Sequence, residues 1–228
     1  MVRNFFNSVR GVIIFTFVFS FLGSLRFESI KENFGAWAGL FFSIEALVFM
    51  GFAPALLLIF RFKEPLTSFG FQLPTNKKEA AVLIFLTLVV LMPVIIFFSG
   101  QEVFQDYYAF KKGTPVGVLV LIVLPSLIYY FAEEFLFRGF LFWGLWHKIK
   151  YHSFWLTSLI FSLLHASKPV PEIFFAFFAS LIFCYLSFRT KSFAPAAIVH
   201  FLIAITLNLL IVFIVGGANS SGGDFFNF

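Results

Sequence analysis

Charge is what this chain has least of. Only 12% of its 228 residues are Asp, Glu, Lys or Arg, about half the share a soluble domain carries. Cysteine is nearly absent too. The single Cys184 allows no intrachain disulfide, and its apolar neighbours make packing its expected role. There is no CxxC or HExxH pair, no Gly-rich phosphate loop and no internal repeat, so local zinc motifs, nucleotide loops and solenoids are set aside. Lys and Arg outnumber Asp and Glu by 16 to 11. They sit in short loops, however, where membrane orientation explains them better than nucleic acid does.

What is present is apolar. Hydrophobic residues make up 61% of the chain, with 40 Phe, and several stretches approach the ~20 residues needed to cross a bilayer. The reading is a polytopic, all-α transmembrane bundle with seven spans, at 9–25, 36–60, 80–99, 116–147, 153–167, 171–188 and 193–215. Residues 1–215 form one bundle, with a motif-bearing core at about 116–210, and 216–228 a flexible Gly/Ser-rich tail. The opening "MVRNFFNSVR" resembles a signal-peptide leader, but no small-residue cleavage signal of the A-x-A kind follows, so a retained span is expected.

With the N-terminus inside, Arg3, Arg10, Arg61, Lys63, Lys77, Lys78, Lys148, Lys150, Arg189 and Lys191 face the cytoplasm. Arg26, Lys31, Lys111, Lys112 and Lys168 face outward. That bias supports an N-in arrangement. Thr75 or Asn76 is the expected N-cap of the third span, Pro195 suits the first turn of the last, and Tyr107 and Tyr108 are expected in an interfacial turn at the headgroups. The Phe-rich runs read as lipid-facing or packing surface.

Ionisable residues inside spans cost several kcal/mol unless paired or facing a cavity. Glu45, Glu133, Glu134, Arg138, His165 and His200 are such residues, with Asn208 as a neutral companion. In "AEEFLFRG", Glu134 and Arg138 are four apart and share a helix face, which suits a charge-assisted pair. Glu133 points about 100° away and is left for chemistry; alternatively all three form one network that fixes helix packing. Glu133 lies ~20 Å from the cytoplasmic end of its span, His165 ~18 Å and His200 ~10 Å along theirs. Two carboxylates and two imidazoles thus approach one layer from three helices.

A carboxylate in apolar surroundings is a better base near neutrality, and with an imidazole it can activate water for hydrolysis. The same residues, Glu133, His165 and His200, could hold a divalent metal such as zinc with an open position for water. A second imidazole or an amide could donate to a developing oxyanion. Glu45, with Gly39, Ala46 and Gly51 near it, either approaches this site or faces a separate polar pocket. Tyr129, Tyr130 and Trp143 either wall a substrate groove or pack inside.

These residues carry a pattern. The chain resembles the CAAX-protease and bacteriocin-processing (CPBP, ABI) family of intramembrane endopeptidases. Glu133, Glu134 and Arg138 match its first motif, with "FRG" at Phe137–Gly139; Phe161 and His165 match its second; His200, led by "APAAIVH", begins its third. The resemblance spans about 125–210. It implies a helical multi-pass membrane protein, in a prokaryotic cell membrane, with a site within the bilayer on the cytoplasmic side. It implies that Glu133 and His165 activate water, that His200 supports the oxyanion, and that the partner is a peptide or membrane-associated protein. Metal dependence is open within the family.

One position departs. The family has Asn or a similar polar residue four after the third-motif His, where this chain has Ala204. Asn208 is a further turn along and about 80° from His200 around the helix, a poor direct substitute. The expected function is therefore an intramembrane endopeptidase, catalytic through Glu133, Glu134, His165 and His200, with Arg138 as clamp and Asn208 as support. The alternative is a proteolytically silent scaffold or regulator of the same fold. A proton-coupled transporter, the third class considered, lacks the paired Gly/Pro-interrupted spans such folds tend to show.

Overall fold

A computed structural model describes residues 8–24, 37–108 and 116–215. Every regular element among them is helical, as the apolar runs require. The tail at 216–228, residues 1–7, and the connections at 25–36 and 109–115 lie outside the described residues.

We number the helices in chain order: α1 Val9–Ser24, α2 Ala38–Phe62, α3 Lys77–Ser99, α4 Glu102–Tyr107, α5 at 116–149, α6 His152–Leu164, α7 Val170–Thr190 and α8 Ala194–Val215. Four of them, α2, α3, α7 and α8, are long and apolar enough to cross a membrane. With 16 and 13 residues, α1 and α6 reach only about 24 and 20 Å, short of a ~30 Å hydrocarbon core.

Local chemistry sets the helix ends and bends. The side chain of Asn76 accepts the Glu79 backbone N–H at 3.1 Å, so it is the N-cap of α3. Pro54 lacks an N–H and cannot close an ordinary turn, and α2 widens into π-type turns on either side of it, at Leu47–Phe52 and Leu57–Phe62. The connection after α2 is laced to the α7–α8 turn. There the Thr75 N–H donates to the Thr190 carbonyl at 3.1 Å and the Phe193 N–H to the Gly70 carbonyl at 3.3 Å. Gly70 itself sits at φ +74° with Trp143 Nε1 only 3.0 Å from where a Cβ would be, so both its backbone and its neighbour demand glycine.

Two apolar clusters result. One gathers α1, α2, α5 and α6 around Phe135, Leu136, Phe140 and Leu141. The other joins α3, α4, α7 and α8 around Phe98, Phe104, Phe183 and Ile203. Tyr108 belongs to the second cluster and is 8% exposed. Its hydroxyl donates to the half-buried Glu172 at 2.7 Å.

Candidate functional site

The charged turn of α5 is built into the first cluster. Residues 135–141, starting one position after Glu134, form a widened π-type turn in which every side chain is buried. Such turns recur at functional sites. Gly139 permits the packing: a Cβ there would lie 2.6 Å from the Phe135 ring and 3.1 Å from the Phe69 carbonyl oxygen.

Arg138 Nη1 donates to Glu134 Oε1 at 2.9 Å, and both side chains are 0% exposed. The clamp read from the four-residue spacing is present. Arg138 Nε and Nη2 have no hydrogen-bond acceptor among the described residues. Aromatic faces occupy that place instead, with the guanidinium carbon 4.2 Å from the Phe161 centroid and 5.1 Å from that of Phe183. Ser187 Oγ donates to the Arg138 carbonyl at 3.3 Å and accepts from Trp143 Nε1 at 3.1 Å, tying α7 to the widened turn. Trp143 is thus an interior packing residue.

His200 of α8 joins this pair. Its Nδ1 lies 2.7 Å from Glu134 Oε1 and 3.5 Å from Glu133 Oε2. Glu133 also accepts the Tyr129 hydroxyl at 3.2 Å, one turn back on α5. Glu133, Glu134 and His200 each offer a ligand atom within 4.8 Å of the others, and all three are buried. Glu133 Oε2 and Glu134 Oε2 have no hydrogen-bond partner among the described residues. Two such carboxylate oxygens and an imidazole are a donor set that could hold a divalent cation.

His165 stands apart from that trio. The α6 helix ends at Leu164, and the His165 Nδ1 lies 2.9 Å from the Phe161 carbonyl. A carbonyl only accepts, so Nδ1 carries the hydrogen and Nε2 is the acceptor of the ring. Asn208 donates its amide to the Ala204 carbonyl at 2.9 Å, within its own helix.

Glu133, His165, His200, Ala204 and Asn208 nevertheless share one space. They line a cavity of about 640 Å³ to which all eight helices and the turn after α6 contribute. Glu45, half-buried on α2, is not in that lining. Tyr129 and Tyr130 are, so both wall the cavity; the Tyr130 ring lies 4.4 Å from the His200 ring. At the mouth, Lys168 Nζ donates to the Tyr108 hydroxyl at 3.2 Å, which donates on to Glu172. Sequence reasoning missed this second polar group. Its signal was a Lys and a Glu four apart around Pro169 at a helix start, readable only as loop charge until α4 packs against it.

The described helices, four of them long and apolar enough to cross a membrane, thus close around a cavity lined by a carboxylate and two imidazoles of the charged group. Residues 115–206 match the family described as Rce1-like, type II CAAX prenyl endopeptidase. The matched segment contains all three motifs, and the family it names is the CAAX-protease family of the resemblance. No curated protein and no solved structure matched the chain.

Proposed function

We propose that the protein is an intramembrane endopeptidase that hydrolyses a peptide bond with water activated at Glu133. The observation that carries this is Glu133 itself. A buried carboxylate with one unpartnered oxygen faces a cavity that two imidazoles also line.

The chemistry follows from the donors and acceptors. Water in the cavity gives a hydrogen bond to the Glu133 carboxylate and a second to His165 Nε2, the acceptor of that ring. Its oxygen adds to the scissile carbonyl carbon while its proton passes to Glu133. Glu133 then delivers the proton to the amide nitrogen as the C–N bond breaks, leaving a carboxylic acid and an amine. Glu134, pinned by Arg138, holds His200 through Nδ1, which places that nitrogen 3.5 Å from Glu133 Oε2. Were a divalent cation held by Glu133, Glu134 and His200, it would supply Lewis acidity toward water. The peptide or membrane-associated substrate enters at the end of the bundle marked by Tyr108, Lys168 and Glu172.

Ala204 favours the second reading, a silent scaffold, because the position one turn beyond His200 carries no polar group. Cells producing wild type or Glu133→Gln separate the two. Peptide termini in the membrane proteome should include a set that depends on Glu133. Identical termini in both strains, with both proteins present at equal level, would leave only the scaffold.

A further inference from the structure

A peptidase of this kind must stabilise the negative oxygen of the tetrahedral intermediate, and that takes a hydrogen-bond donor aimed into the cavity. The imidazoles are poorly placed to give one when neutral. His200 directs Nδ1 at a carboxylate and His165 directs Nδ1 at a carbonyl. Each therefore carries its hydrogen on Nδ1 and leaves Nε2 as an acceptor. Ala204 has no donor at all, and the Asn208 amide is turned onto its own helix.

The remaining donors in the lining can be sorted by what they already do. Tyr129 donates to Glu133, Tyr108 to Glu172 and Ser24 to carbonyls of α1, while Lys168 gives one N–H to Tyr108 and holds its ammonium 4.9 Å from the Tyr107 and Tyr108 ring centroids. Among the described residues, the Ser20 hydroxyl is buried with no partner, and Tyr130 makes ring contacts only. Ser20 is on α1, with its oxygen fully buried. Tyr130 lies on α5 three residues before Glu133, on the same helix face, with its ring against His200 at 4.4 Å and edge-on to Tyr129 at 5.2 Å. Its ring is thus packed on two sides, and Tyr130 is part of the cavity lining.

We infer that Tyr130 is a further catalytic residue, whose O–H donates to the oxyanion that forms when water adds to the peptide carbonyl. The inference rests on the peptidase reading above. The hydroxyl keeps its proton throughout: it strengthens one hydrogen bond as the carbonyl oxygen gains charge and relaxes it when the C–N bond breaks. Tyrosine here takes over what a polar group at position 204 would do. Position 204 is four after His200, on the same face of α8, and lines the same cavity.

The test uses the full-length protein in detergent and a library of internally quenched peptides. Tyr130→Phe keeps the ring and its contacts, so it should melt with the wild type. Its kcat should fall about 100-fold or more, the usual effect of losing one oxyanion donor, with KM within twofold. Adding Ala204→Asn to Tyr130→Phe should recover at least tenfold of that loss. Wild-type kcat in Tyr130→Phe, or a loss lying wholly in KM, overturns the inference while leaving the peptidase intact. Wild type that cleaves nothing in the library, while the Glu133-dependent termini are also missing from cells, overturns the peptidase reading and this inference with it.

Discussion

Removing Arg138 tests the account of how charges survive in this bundle. In Arg138→Met the side chain keeps most of its volume and loses its charge. At 2.9 Å and an effective dielectric of about 20, the attraction to Glu134 is about 6 kcal/mol before desolvation is counted. Desolvation cancels much of that, so the net worth of the pair is small, but breaking it from one side strands a buried carboxylate and costs about 3–5 kcal/mol. Arg138 also gives up its place over Phe161 and Phe183, about 1–2 kcal/mol of cation–π contact, part of which the Met side chain returns. Thermal unfolding in detergent should therefore show a strongly destabilised single variant. The double variant Glu134→Gln, Arg138→Met removes both charges and should recover more than half of the loss, since the Gln oxygen still accepts from His200 Nδ1. Two results would sink the reasoning: a single variant within about 1 kcal/mol of wild type, or a double variant less stable than the single.

Three further outcomes follow. Gly139→Ala forces a methyl to 2.6 Å from the Phe135 ring, and overpacking of this kind costs about 1–3 kcal/mol; an unchanged melt would mean that the ring swings aside freely. Tyr108→Phe strips Glu172 of a donor that reaches both its oxygens, at 2.7 and 2.8 Å. It should cost about 1–3 kcal/mol, an expected loss for a half-buried charge-assisted bond, and hydrogen exchange across α4 should speed up. Purified protein incubated with zinc and desalted should retain less metal by mass spectrometry as Glu133→Ala or His200→Ala than as His165→Ala. His165 stands outside the 4.8 Å group; equal loss in all three would put it back among the ligands.

The charged turn was legible because its chemistry is local. The spacing of Glu134 and Arg138 gives their pairing directly, and helix period separates Glu133 from it. The meeting of α5 and α8 was legible only as a shared depth, because sequence spacing carries no record of which helix faces which. So the bond from His200 fell to Glu134, a residue the spacing had already paired elsewhere. His165 was visible as a polar residue near a span's end, but its tautomer depends on α6 stopping at Leu164 and freeing the Phe161 carbonyl. Tyr129 and Tyr130 were visible as neighbours of the charges. Which of them was committed to a carboxylate needed the hydroxyl of Tyr129 to be seen on Glu133.

Orientation is where two arguments collide. The cavity reaches the bundle end where α1 and α3 finish and α7 begins, at Ser24, Phe98, Lys168 and Glu172. The opposite end carries Arg10, Arg61, Lys63, Lys77, Lys78, Lys148, Lys150, Arg189 and Lys191, against Lys168 alone at the cavity end among the described residues. The positive-inside rule acts on short loops during insertion, so it puts the basic end in the cytoplasm, the N-terminus inside and the cavity mouth outside. The family resemblance implies a site on the cytoplasmic side instead. A Cys184→Ala background carrying Lys63→Cys or Ser167→Cys decides between them with a membrane-impermeant maleimide on intact cells. The charge argument expects Cys at 167 to label at once and Cys at 63 only after permeabilisation; substrates would then be sought among surface and exported proteins. The reverse pattern would mean that insertion of the matched segment overrides these nine basic residues, and would direct the search to proteins processed at the cytoplasmic face.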